Sequence, residues 1–107
     1  MKNTNVLLQD MVEAIKSIQS YSLPTYDSFL DDEKTQDAVM YNLIILGEAA
    51  NRISVEFQES HPEIPWSSII GTRNVVVHGY DQVKSQIVWD IINKNLEKLK
   101  ILLEDLM

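Results

Sequence analysis

The chain has 107 residues and a net charge of −7, from nine basic and sixteen acidic side chains. That length suffices for one hydrophobic core and excludes two, so residues 1–107 are read as a single domain. The acidic balance excludes a general nucleic-acid binder that works by covering many phosphates, and the lack of cysteine excludes disulfides and Cys-based zinc sites.

The opening residues, MKNTNVLLQDMVEAIK, hold a short apolar run broken by Gln9 and Asp10, with no signal-peptide core or small-residue cleavage site. No stretch approaches the ~18 apolar residues of a membrane span. A cytoplasmic protein with no membrane partner is expected. Leu8, Met11, Ile15 and Ile18 recur at three- and four-residue steps, which predicts an amphipathic helix over about residues 3–21. Pro24 ends it, and Leu23 before the proline is pushed out of the helical region. Thr25 to Leu30 is long enough for one short turn.

The next stripe is Val39, Leu43, Leu46, Ala50, Ile53 and Phe57, again at steps of four and three. It predicts one helix from about Asp32 to Glu59, with acidic residues at its start where the helix dipole favours them. Ile44, Ile45 and Ala49 widen the apolar face, so this helix is either central or shared with a second subunit. Gly47, Ala50 and Ser54 put small residues on one side, where a neighbouring helix can come close. Glu48 and Arg52 have the spacing of a surface ion pair within the helix, the lesser alternative being that they line a functional cleft. The segment His61-Pro62-Glu63-Ile64-Pro65-Trp66 is a rigid connector, with Pro65 suited to the first position of the following helix.

Residues Trp66 to His78 are predicted helical. The Val75-Val76-Val77 run also suits a strand, but nothing nearby reads as a pairing strand, and Gly79 is placed to stop a helix. Val88, Ile92, Leu96, Leu99, Leu103 and Leu106 mark a last helical stripe. The expected fold is all-α, a bundle of four main helices. Trp66 and Trp89 are expected as packing anchors. His61 is expected to belong to the connector, and Asp31-Asp32-Glu33 to form a solvated helix start.

Gly71-Thr72-Arg73-Asn74-Val75-Val76-Val77-His78-Gly79-Tyr80 is the stretch that carries chemistry. Histidine moves protons near neutral pH, with a reference pKa of about 6.5. Arginine holds phosphate through its planar fork. Together they meet the needs of metal-independent RNA cleavage: a base for the ribose 2′-hydroxyl or an acid for the leaving 5′-oxygen, and a cation for the charge that develops on the phosphoryl group. Five residues of separation set two helical positions roughly 140° apart. Both side chains reach one phosphate only if His78 lies past the last regular turn, or if a second copy of the motif lines the same cleft. The plain alternative is that a cation near a helix C-terminus only answers the dipole. If both residues face an open cleft, removing either side chain should cost little packing.

Asp37-Ala38-Val39, Ile45-Leu46-Gly47-Glu48-Ala49-Ala50, His61 to Trp66, Arg73 to Tyr80 and Val88-Trp89, in that order, resemble the HepT-like branch of the HEPN superfamily. The resemblance spans most of the chain and implies an all-α, up-and-down, HEPN-like bundle of four main helices that forms a homodimer. Two Arg-x4-His motifs would face a shared cleft. It further implies an endoribonuclease toxin that uses neither metal nor cofactor, with tRNA or mRNA as substrate. Arg73 and His78 would carry catalysis, and Asn74 would support them by binding phosphate or orienting His78. The implied partner is a minimal nucleotidyltransferase antitoxin of the MntA kind, which would silence the toxin by transferring AMP to Tyr80. A non-catalytic helical module that binds such a nucleotidyltransferase is the alternative.

Overall fold

The structure, a computed structural model, describes residues 3–21, 24–78 and 85–107. All regular structure among the described residues is helical: α1 (Thr4–Ser20), α2 (Tyr26–Leu30), α3 (Glu33–Arg52), α4 (Val55–Ser60), α5 (Trp66–His78), α6 (Ser85–Lys94) and α7 (Leu96–Asp105). Three long helices, together with the α6–α7 pair, make the expected bundle of four main helices.

Local chemistry sets several of the helix ends. The Asn3 side chain accepts from the Val6 N–H at 2.9 Å, Thr25 from Ser28 at 3.1 Å and Asp32 from Thr35 at 3.0 Å. Each satisfies an amide that the first helical turn leaves without a partner. The backbone N–H of Thr35, and then its side chain, hold the Asp32 carboxyl below the usual carboxylate range. The α1 stripe of Leu8, Met11, Ile15 and Ile18 is buried as its spacing requires.

α3 is the central helix. It packs against α1 on one side and α5 on another, while α7 lies against α1. Val39, Leu43, Leu46 and Ala50 are buried, and Ile44 and Ile45 lie partly buried against the same core. Burial of each large aliphatic side chain contributes roughly 1.5–3 kcal/mol. The wide apolar face is therefore largely covered within one chain, as a central helix requires.

The single helix expected from Asp32 to Glu59 is in fact two. α3 stops at Arg52, and Ile53 turns to extended backbone with φ −72° and ψ 138°. Ser54 then caps α4 by accepting from the Phe57 N–H at 3.2 Å. The Gln58 amide donates to the carbonyls of Ala50 at 3.2 Å and Ile53 at 3.0 Å, so two acceptors at the break are satisfied by one side chain. Ile53 stays buried and Phe57 stays packed on the core, so the apolar rhythm runs on through a break in the backbone ladder.

The connector orients α5. The Trp66 indole donates to the His61 carbonyl at 3.0 Å, and the His61 ring lies 4.5 Å from that of Phe57. Pro65 stands one residue before α5 rather than at its first position, and its carbonyl accepts the first helical bond, from Ile69. The valine run is helical, with Val76 buried. The last stripe is interrupted at Asn95, yet Asn95 N–H still bonds to Ile91 and Leu99 N–H to Asn95, so α6 and α7 continue one course. Trp89 packs on the rings of Tyr26 and Phe29 and so ties α6 to α2. The Gln19 amide donates to Glu97 at 2.7 Å and joins α1 to α7.

Gly47 sets the distance between α3 and α5. A Cβ added there would lie 2.1 Å from Arg73 Cβ and 3.2 Å from the Ile69 carbonyl oxygen. Gly71, inside α5, has nothing within 4 Å of an added Cβ. Gly47→Ala is expected to destabilise the fold by about 1–3 kcal/mol through overpacking. Gly71→Ala is expected to stabilise it by about 0.4–1 kcal/mol, because alanine suits a helix interior better than glycine. Urea unfolding of both variants measures the pair; equal effects would mean that the helices can part at Gly47 without cost.

Candidate functional site

Ile69, Arg73 and Val76 follow one another at steps of four and three along α5, so they share the face turned toward α3. Ile69 and Val76 are buried. Arg73 occupies the position between them, and its Cβ and Cγ lie over Gly47, where any other residue would place a side chain. The stem is thus packed between two helices while the guanidinium extends beyond it, a division that long cationic side chains allow.

That guanidinium meets Glu48, the residue after Gly47. Arg73 Nε donates to Glu48 Oε1 at 2.9 Å, and Arg73 Nη2 donates to the same oxygen. Arg73 Nη1 donates to Asn74 Oδ1 at 2.8 Å. The ion pair is only part-exposed, with 24% of the Arg73 side chain and 36% of the Glu48 side chain accessible. Charge-assisted bonds of this kind are stronger than neutral ones and hold a planar group in one orientation. Among the described contacts, three of the guanidinium's five N–H groups are used. One N–H on each Nη is left over, and each can donate to a phosphate oxygen.

Two expectations change here. Glu48 pairs with Arg73 across the helix interface, and Arg52, its expected partner within the helix, is exposed. Arg73 does not simply face an open cleft. Its stem is part of the α3–α5 contact, so its removal carries a packing cost. Asn74 stands beside Arg73, as the motif requires, and its amide oxygen braces the guanidinium.

His78 is the last residue of α5, so the helix runs through the whole Arg73-to-His78 interval instead of ending before it. On a regular helix the two positions are then roughly 140° apart about the axis. Gly79 and Tyr80 lie outside the described residues. His61 pairs with Glu63 at 3.2 Å, in the connector where it was expected. Among the described residues no three histidine or carboxylate side chains come together as a set that could hold a metal ion, and no helix is long and apolar enough to cross a membrane.

The small residue at 47 was visible in the sequence, but nothing in it paired Gly47-Glu48 with Arg73, which lies a full helix and a connector away. The signal was the adjacency of a small residue and an acid on a helix otherwise apolar at its centre.

Comparison with known proteins gives this arrangement a context. Residues 11–106 match the HepT-like ribonuclease family. The chain is 36% identical to a probable ribonuclease HepT of Thermococcus cleftensis over 94 residues, covering 87% of this chain and 86% of that protein. It is 32% identical to a candidate RNase of Methanocaldococcus jannaschii over 110 residues, covering 98% and 91%. A candidate RNase of Caldanaerobacter subterraneus is 31% identical over 90 residues, covering 84% and 75%. No solved structure matches. With the match running from α1 to the end of α7 over an all-helical bundle, the chain belongs to the HepT-like ribonuclease family.

Proposed function

We propose that this protein is a metal-independent endoribonuclease, the toxin of a toxin–antitoxin pair, with Arg73 and His78 as its catalytic residues. The observation that carries the reading is the fixed guanidinium of Arg73, held by Glu48 and Asn74 with one N–H on each Nη left over. It stands five positions before a histidine in a chain of a ribonuclease family. In the reaction the ribose 2′-oxygen attacks the adjacent phosphorus and loses its proton to a base, while the bond from phosphorus to the 5′-oxygen breaks. The products are a 2′,3′-cyclic phosphate and a 5′-hydroxyl. His78 serves this proton traffic as base or as acid. Arg73 neutralises the charge gathering on the phosphoryl oxygens.

The positions of Arg73 and His78 around α5 favour a cleft shared by two copies, in which one chain's arginine works with either histidine. A groove of ≈ 380 Å³ between α5 and α7, floored by Leu43 and Leu46 and walled by Ile69, Ile91, Leu99 and Leu102, offers apolar surface for such an association. Light scattering at micromolar concentration is expected to give twice the chain mass; a monomer there would remove the shared cleft.

For catalysis, Arg73→Met is the informative variant, because it keeps most of the stem over Gly47 and removes the charge. Arg73→Met and His78→Gln are each expected to lower cleavage of tRNA or mRNA by about 10²-fold or more, with EDTA present throughout and helical content retained. Wild-type cleavage that EDTA abolishes would overturn the metal-independent mechanism. Full activity in either folded variant would remove that residue from it.

Tyr80 is proposed as the control point. A nucleotidyltransferase partner of the MntA kind would transfer AMP from ATP: the phenolic oxygen attacks the α-phosphorus and pyrophosphate leaves. The added anion, two residues from His78, would repel RNA phosphates. Intact-mass measurement after incubation with such a partner and ATP is expected to show one added AMP on the wild type and none on Tyr80→Phe. Equal addition to both proteins would place the modification elsewhere.

A further inference from the structure

We propose that Glu48 is a positioning residue for the reaction: it sets the orientation of the Arg73 guanidinium and leaves an N–H on each terminal nitrogen for the scissile phosphate. The inference rests on the ribonuclease reading above and adds to it a residue outside the Arg-x4-His motif.

Three observations bear on it. First, one Glu48 oxygen receives both Nε and Nη2 of Arg73, which fixes the guanidinium plane along one side. A contact to a terminal nitrogen alone would leave the plane free to turn. Second, Gly47 brings the two helices so close at this point that the arginine stem has no room to swing toward α3. Glu48, one residue on, is therefore offered to the guanidinium at short range. Third, Asn74 takes one N–H of Nη1, so the remaining donors sit one on each Nη. Both are donors that a phosphate oxygen can take up.

The opposite effect is physically possible. Glu48 also lowers the net positive charge near the phosphate, and a carboxylate that merely competes with RNA for Arg73 would slow the reaction. The two roles differ in sign. A positioning carboxylate makes cleavage faster, and a competing one makes it slower. A third role, holding α3 to α5 and nothing else, would show in stability alone.

The test uses the full chain, a short RNA substrate and three substitutions. Glu48→Ala removes the acceptor. Glu48→Gln keeps an acceptor oxygen at the same reach and loses the charge. Glu48→Met restores bulk with no acceptor and leaves the Arg73 charge without its partner, so its stability is read beside its rate. Cleavage rates and thermal midpoints are read together. Glu48→Ala and Glu48→Met are expected to lose about 10–100-fold in kcat, the range for groups that orient a site's ligands. KM should change far less, because the missing interaction belongs to the transition state. Glu48→Gln should retain more activity than either. A folded Glu48→Met with wild-type kcat would overturn the proposal, as would faster cleavage by any of the three. Should Glu48→Ala fail to fold, the Gln and Met variants carry the comparison. Wild-type protein that cuts no faster than Arg73→Met would instead remove Arg73 from the mechanism, and this inference with it; wild-type protein that cuts no RNA would remove the ribonuclease reading itself. Arg73-dependent cleavage that ignores Glu48 removes the inference alone.

Discussion

The close approach of α3 and α5 at Gly47 is the constraint on which the candidate site depends. One missing Cβ lets the Arg73 stem lie against the α3 backbone. The same approach brings Glu48 within hydrogen-bonding distance of the guanidinium. A bulkier residue at 47 would separate the helices, lengthen the Arg73–Glu48 contact and loosen the face that buries Ile69 and Val76. Packing and electrostatics are thus one arrangement here: the apolar contact sets the distance, and the ion pair uses it.

α1, α3 and the α6–α7 course were legible because each keeps one apolar stripe over three turns or more, and the direction of burial follows from that rhythm. The break after Arg52 was not legible for the same reason. Ile53 and Phe57 remain on the core side although the backbone ladder stops between them, so the pattern of burial continues where the pattern of hydrogen bonds does not. Ser54 and Gln58 decide that break through bonds to nearby backbone groups, and such bonds leave little trace in hydropathy. The valine run in α5 shows the converse. Its strand preference is overridden because Val76 is buried from within a helix packed on α3.

Asn74, read as binding phosphate or orienting His78, has its amide oxygen on Arg73, and the Arg73-to-His78 stretch was legible as a candidate site. The partial burial of Arg73 was not, because it depends on Gly47, which is remote in the chain and whose role appears only once two helices are laid together. Glu48 was misassigned for a related reason. Arg52 lies at the spacing that a single helix favours, whereas the observed partner sits on another helix. Local spacing reports which contacts a helix permits; tertiary packing selects among them.

The reciprocity between positions 47 and 73 also bears on how such a chain can drift. A side chain at 47 and a long stem at 73 compete for one volume. A descendant that lost the cation at 73 in favour of a small residue would have no steric reason to keep glycine at 47, and alanine there would then suit α3 better. Nor would it have a cation for the acid at 48. The three positions are coupled by space and charge, so a homologue carrying alanine at 47 opposite a small residue at 73 would bear the mark of a bundle that endured without this ion pair.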